Sequence, residues 1–235
     1  MKKIRAVFFD LDGTLIDTEK YYYRVWSKSF AHFGYEISAK DCLELRSLGR
    51  PYILKWMQER CGDNVPCEEI RKYARSLVNE LIEKEGLHLK KGVTECLEFL
   101  KTKNVYLYIV TATVIERTEN CIIKVGIKKY FDKVISATTV EKGKPAADVY
   151  LEAAKLANVD PSECIAVEDS PNGAMSAINA GMNVVMVPDL SEPDDELKNK
   201  LFVRLDSLEE FKDFILNSNL DIITNGFIKK TQKTP

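Results

Sequence analysis

Val7-Phe8-Phe9-Asp10-Leu11-Asp12-Gly13-Thr14-Leu15 is the stretch whose reading fixes the architecture. An apolar run leads straight into two aspartates two positions apart, then into Gly-Thr. Short, nearly continuous apolar segments rich in Val and aromatics suit a strand buried on both faces of a parallel sheet. Residues i and i+2 of an extended segment point to one side, so Asp10 and Asp12 can both overlook the strand's carboxyl end. Open α/β sheets bind their ligands at that end, and Gly13 permits the abrupt turn that follows. A calcium loop also begins Asp-x-Asp, but here the glycine comes two positions early and the twelfth residue from Asp10 is Tyr21 rather than Glu. An ordinary polar turn is disfavoured, because two carboxylates at a buried edge repel unless a cation neutralises them.

Similar apolar runs recur at Val105–Val110, Lys133–Ala137, Cys164–Val167 and Asn183–Val187, with a weaker one at Phe202–Leu205; the first begins at Ile4. Amphipathic stretches near 92–103, 114–125, 146–158 and 172–180 lie between them, and Ala174, Ala177 and Gly181 in the last allow close packing on a sheet. Strand and helix alternating in this way predict an α/β fold with a doubly wound, Rossmann-like parallel sheet. Residues 18–88 break the alternation. They read as helices near 19–33, 39–46, 50–61 and 67–85, separated at Gly34, Gly49-Arg50-Pro51 and Cys61-Gly62-Asp63-Asn64. The expectation is a catalytic core of residues 1–17 and 89–220 with an all-helical cap, 18–88, inserted after the first strand. Linkers near 16–18 and 86–91 would let the cap close over the strand ends. Residues 221–235 read as a loosely docked or disordered tail.

The 235 residues include 34 Lys and Arg against 36 Asp and Glu, a net charge of −2, which gives no basic surplus for nucleic acid. After Met1-Lys2-Lys3 the apolar stretch is too short for a secretory leader. The longest uncharged run, Ser170–Pro188, holds three Asn and two Gly, so no membrane span is expected. Six scattered cysteines without a CxxC pair suit reduced thiols in a cytoplasmic protein. With His32 and His88 the only histidines, a mechanism needing several imidazoles is excluded.

A second acidic cluster, Ile165-Ala166-Val167-Glu168-Asp169-Ser170, again ends an apolar strand. With Asp10 and Asp12 it supplies enough hard oxygen ligands for Mg²⁺. On a regular strand Glu168 and Asp169 would face opposite ways, so the strand is expected to have ended before them; which of the two touches a metal stays open. Thr111, at the end of Tyr106–Val110, and Lys144, before Pro145, offer a hydroxyl and an ammonium to phosphate oxygens. Each is ordinary alone, as a helix-capping Thr or a solvated Lys, and gains weight from lying at or after a separate strand of one sheet.

With these motifs in order, the sequence resembles the haloacid dehalogenase superfamily, in its beta-phosphoglucomutase-like phosphatase branch, over about residues 4–216. Asp10-Leu-Asp-Gly-Thr-Leu-Ile-Asp17, Thr111, Lys144-Pro145 and Glu168-Asp169-Ser170-Pro171-Asn172-Gly173-Ala174 carry the resemblance. It implies Asp10 as nucleophile, Asp12 as acid/base, and Thr111 and Lys144 on the transferring phosphoryl group. It implies Mg²⁺ on the Asp10 side chain, the Asp12 backbone carbonyl, and Asp169 with or without Glu168. The substrate implied is a small phosphorylated metabolite, a sugar or polyol phosphate; nucleic acid and membrane are not expected partners, and oligomeric state is not legible. Related mutases carry a histidine ten residues past the second aspartate, where this chain has Tyr22, which favours hydrolysis over the alternative of a phosphosugar mutase. A catalytically inactive regulator and a dehalogenase are weaker alternatives. In the cap, Arg50 matches the family's arginine, a matching lysine is ambiguous between Lys72 and Arg75, and Tyr22 and Arg46 are further substrate candidates. Against that, Trp26, with Tyr22, Tyr23 and Phe30 at helical spacing, reads more readily as cap core than as a substrate wall, and Arg46 more readily as a solvated charge.

Overall fold

Side chains of the first core strand divide by parity, and that division builds the layers. The computed structural model describes residues 2–218 and 220–222. The chain forms β1 (Lys2–Ile4) and β2 (Ala6–Phe9), then four helices, α1 (Glu19–His32), α2 (Ala39–Glu44), α3 (Tyr52–Cys61) and α4 (Cys67–Glu85). Alternation resumes with α5 (Val93–Lys101), β3 (Tyr106–Thr111), α6 (Ile115–Lys124), β4 (Lys133–Ser136), α7 (Asp148–Ala157) and β5 (Cys164–Glu168). It continues through α8 (Pro171–Asn179), β6 (Asn183–Met186), α9 (Asp195–Lys198), β7 (Val203–Arg204), α10 (Phe211–Asn217) and β8 (Leu220–Ile222).

Val7 and Phe9 enter one apolar layer, packed under α5, α6 and α10. Ala6 and Phe8 enter the other, under α7 and α8, where Ala153, Ala157, Ala174 and Ala177 let the helices lie close. Phe8 and Phe9 are fully buried, and each contributes on the order of 2–3 kcal/mol by leaving water. The six-stranded sheet is parallel, in the order β4-β3-β2-β5-β6-β7. The chain winds from β2 outward to β4, then crosses back to the other side of β2 at β5. That reversal opens a crevice at the carboxyl ends of β2 and β5, where ligands of such sheets bind. Phe9 lies opposite both Ile109 and Val167, so the residues that follow emerge side by side.

Three expectations are corrected here. The run from Ile4 steps between sheets at Arg5: β1 pairs with β8, Ile4 opposite Ile222, while β2 starts the main sheet. Asp221 and Ile222 therefore belong to a strand and not to a loose tail; three residues are too few to show a period. The remainder of that tail, 223–235, lies outside the described residues. The fifth strand also runs one residue further than expected, with Glu168 still in register opposite Met186. Asp169 is the first residue past its end.

The four helices between β2 and α5 enclose an apolar cluster of their own, with Tyr21, Trp26, Phe30, Leu45, Met57 and Val78 among its members. The chain enters and leaves this unit side by side: Asp17 N–H donates to His88 O at 2.9 Å and Lys90 N–H to Leu15 O at 3.0 Å. No helix among the described residues is long and apolar enough to cross a membrane.

Candidate active site

Asp10 follows β2 directly, held by its own N–H on Val167 O at 3.0 Å. Lys144 Nζ donates to Asp10 Oδ1 at 2.5 Å, to Glu168 Oε1 at 2.6 Å and to Val110 O at 3.0 Å. The Tyr150 hydroxyl donates to the same Glu168 oxygen. The other oxygen, Glu168 Oε2, is buried and makes no hydrogen bond. Carboxylate oxygens of Asp10, Glu168 and Asp169 all lie within 4.8 Å of one another. Burial drives the Asp10 carboxyl well above its ordinary range; Lys144 opposes this, and Glu168 and Asp12 add to it. Burial likewise raises Asp169 over the opposing pull of Arg46. Around Lys144 the balance reverses, because Asp10 and Glu168 outweigh the cost of burial and keep the ammonium charged. A buried acidic cluster with an orphaned oxygen fits a hard divalent cation such as Mg²⁺.

Two glycines leave room for this cluster. A Cβ on Gly173, in the first turn of α8, would collide with Glu168 Oε2, and one on Gly13 with Asp169 Oδ2. The α8 terminus is set by Ser170, whose Oγ accepts from Gly173 N–H, with Pro171 in the first turn.

Asp12 stands apart from the cluster. Its Oδ1 accepts from Thr18 Oγ1 at 2.6 Å and its Oδ2 from Thr113 Oγ1 at 2.8 Å. Thr111 ends β3 and accepts from Thr113 N–H at 3.0 Å, so it shapes the loop before α6 without capping that helix, whose N-cap is Val114.

The cap helices close this side through Arg46. It was expected as a solvated charge, yet only 4% of it is exposed. Its Nε donates to Glu19 Oε2 at 2.9 Å, its Nη2 pairs with Asp169, and its Nη1 donates to Ser191 Oγ at 3.2 Å. Asp189 Oδ2, buried and without a hydrogen bond, lies 3.8 Å from Nη2. Asn172 fastens the loop by donating to the carbonyls of Glu44 and Arg46. The partners come from distant parts of the chain, so nothing local in the sequence announces the burial. Beside this loop two backbones meet: Gly49 N–H donates to Lys144 O at 2.9 Å and Gly143 N–H to Arg50 O at 2.5 Å.

Between cap and sheet lies a cavity of about 560 Å³. Asp10, Asp12 and Thr111 line it from the sheet, Tyr22, Arg46 and Arg50 from the cap. Lys144 does not; it sits behind Asp10, fully buried. Arg50 pairs with Glu68 at the outer part of the cap. Trp26 serves both expectations, as a member of the cap core and a wall of the cavity. The Tyr22 phenol is pushed up to about 12 by burial; Arg117 and Arg75 pull against this, and Asp12 and Glu19 with it. Of the residues singled out in the sequence, the structure brings Asp10, Asp12, Thr111, Tyr22, Arg46 and Arg50 to one cavity and leaves Lys144, Glu168 and Asp169 buried off its lining. The sequence reading missed Glu19, Thr113 and Arg117. Thr113 could have been found, two residues past a strand end already singled out; the other two are ordinary helix residues until the fold assembles them.

The chain is similar to hexitol phosphatase B of Escherichia coli K12, 29% identical over 213 residues, which span 89% of this chain and 95% of that protein. It is 32% identical to (DL)-glycerol-3-phosphatase 2 of Arabidopsis thaliana over 199 residues, 79% of this chain and 80% of that one. The crystal structure of beta-phosphoglucomutase from Clostridium difficile superposes with a TM-score of 0.74 at 27% identity, covering 91% of this chain and 96% of the other. A family model for haloacid dehalogenase-like hydrolases matches residues 7–187, and the chain belongs to that family.

Proposed function

We propose that this protein is a Mg²⁺-dependent phosphatase of small phosphorylated sugars or polyols, working through an aspartyl-phosphate on Asp10. The observation that carries the reading is the Asp10–Glu168–Asp169 cluster with its orphaned oxygen, beside Asp12 and a cavity that the cap lines with Arg46, Arg50, Arg71 and Arg75. The two phosphatase relatives agree with it. Asp10, Glu168, Asp169 and the Asp12 backbone carbonyl would hold the Mg²⁺, which when bound offsets the charge of the phosphoryl group. Residues 18–88 act as the cap over a core of residues 1–17 and 89–220.

In the first half-reaction an Asp10 oxygen bonds to phosphorus as the bond from phosphorus to the substrate's alcohol oxygen breaks. Asp12, entering protonated, gives its proton to that oxygen. In the second, water bonds to phosphorus and its proton passes to Asp12. The bond from phosphorus to the Asp10 oxygen breaks, freeing inorganic phosphate. Lys144 fixes the Asp10 rotamer and compensates charge, because a near-dianionic phosphate is otherwise repelled by carboxylates. Thr18 and Thr113 hold Asp12 in position, and Thr111 supplies a hydroxyl to the phosphoryl oxygens. The six cysteines of the chain are free thiols, in keeping with a cytoplasmic location.

A ³¹P NMR time course with Mg²⁺ and a panel of sugar and polyol phosphates tests this. Free phosphate is expected with the wild type and none with Asp10→Asn. The beta-phosphoglucomutase neighbour keeps a second reading in view. A phosphorus signal migrating from C1 to C6 of β-glucose 1-phosphate without free phosphate would establish transfer, and Tyr22 would then not be what separates the two outcomes. Silence across the panel would count against both.

A further inference from the structure

Five arginines line the cavity: Arg46, Arg50, Arg71, Arg75 and Arg117. Three are compensated. Arg46 is held by Glu19 and Asp169, while Arg50 and Arg71 share Glu68, the latter at 3.0 Å. Arg75 on α4 and Arg117 on α6 have no carboxylate within 4.0 Å among the described residues. Arg117 lies over Tyr22 from the core, and Arg75 lines the same cavity from the cap. The Arg117 guanidinium carbon stands 5.6 Å from the Tyr22 ring centroid, and the charges of both arginines act on its phenol. Arg117 Nη2 is buried and makes no hydrogen bond. Asp12 is the carboxylate whose charge acts on Arg117, yet both of its oxygens are already taken by Thr18 and Thr113. A guanidinium nitrogen removed from water without an acceptor is costly, and an arriving anion removes that cost.

We propose that Arg117 and Arg75 form an anion subsite on the leaving-group side of the cavity. The substrate then carries a second anionic group, a carboxylate or a further phosphate, besides the phosphate that is removed. The side is assigned by Asp12, which serves the departing alcohol and lines the same cavity as the Tyr22–Arg117 pair on which its charge acts; the inference rests on the phosphatase reading in that respect. The cavity has room for a six-carbon chain charged at both ends. Arg117 contributes planar donors matched to carboxylate and phosphate oxygens, and Arg75 reaches the same group from the cap. Neutral polyol phosphates leave both guanidiniums unanswered, and so bind less tightly.

The test is calorimetric and does not depend on turnover. Asp10→Asn protein with Mg²⁺ is titrated with sorbitol 6-phosphate, 6-phosphogluconate and sorbitol 1,6-bisphosphate. The first two differ only in a CH₂OH replaced by a carboxylate, and the third places phosphate at that end. The expected result is binding at least about tenfold tighter for one or both doubly anionic compounds. That preference should vanish with Arg117→Gln added, persist in part with Arg117→Lys, and weaken with Arg75→Gln. Equal affinities for all three, or no binding of any, would overturn the proposal. So would a preference that survives both glutamine substitutions. Should Arg117→Gln fail to fold, Arg75→Gln and Arg117→Lys still decide. A calorimetric preference with no phosphate released from any of the three by the wild type would support the subsite and count against the phosphatase reading alone.

Discussion

Glu19, Asp169 and Asp189 converge on the guanidinium of Arg46, and although Lys90 also pairs with Asp189, two positive charges face three carboxylates. Burial raises Glu19 from 4.5 to about 7; Arg46 pulls it down, and Asp12 and Asp189 push it up. Between those values the folded chain keeps a proton that the unfolded chain has released. The stability this contributes is complete below 4.5 and is lost as the pH rises through 7. Glu19→Gln keeps the size of the side chain without titrating. Urea unfolding from about pH 5 to about pH 8 should therefore show the wild type losing on the order of 2 kcal/mol more than the variant. Parallel pH profiles would mean that another group carries the dependence.

Among the elements, the loop before α3 and the segment before α7 approach more closely than side chains allow. A Cβ on Gly49 would stand 2.7 Å from Gly143 Cα, and a Cβ on Gly143 the same distance from Gly49 Cα. Gly49→Ala should keep the cap from seating without disturbing the sheet. Turnover is expected to fall about 10²-fold, from the misplacement of groups that line the cavity, while the urea midpoint of the core moves little. Unchanged kinetics would show that the cap seats without this contact. The contact also marks the limit of what the sequence disclosed. Asp10 and Asp12 were legible because their relation is local, two positions on one extended segment, and Glu168-Asp169 and Thr111 because they end apolar runs. The doubly wound parallel sheet followed from the alternation of elements. Lys144 was found by type and order, but its seat behind Asp10 comes from tertiary packing. Arg46 and Arg117 acquire meaning only when the cap folds down, since neither is set off from its sequence neighbours by pattern or composition.

For the molecule as a whole, a cation in the acidic cluster would bind the folded chain and find no such cluster in the unfolded one. At a hundredfold excess over its dissociation constant, that linkage is worth ~2.7 kcal/mol. Mg²⁺ should therefore raise the thermal midpoint by roughly 5–10 °C for a chain of this size. Asp169→Asn, which leaves Asp10 and Glu168 in place, should lose most of the shift; an equal shift in the variant would locate the ion elsewhere. The central position of β2 bears on how the molecule comes into being. Phe9 pairs with Ile109 on one flank and Val167 on the other, so the segment made among the first has partners made in the middle of the chain and later. At ribosomal speeds of roughly 5–20 residues per second, that segment waits on the order of 10 s with an apolar surface and two unsatisfied backbone edges. Over that interval the helices encoded in between can already collapse on their own contacts. A growing chain of this kind shelters its cap early and its reactive strand only later, which makes synthesis the moment of greatest exposure to chaperones and to aggregation.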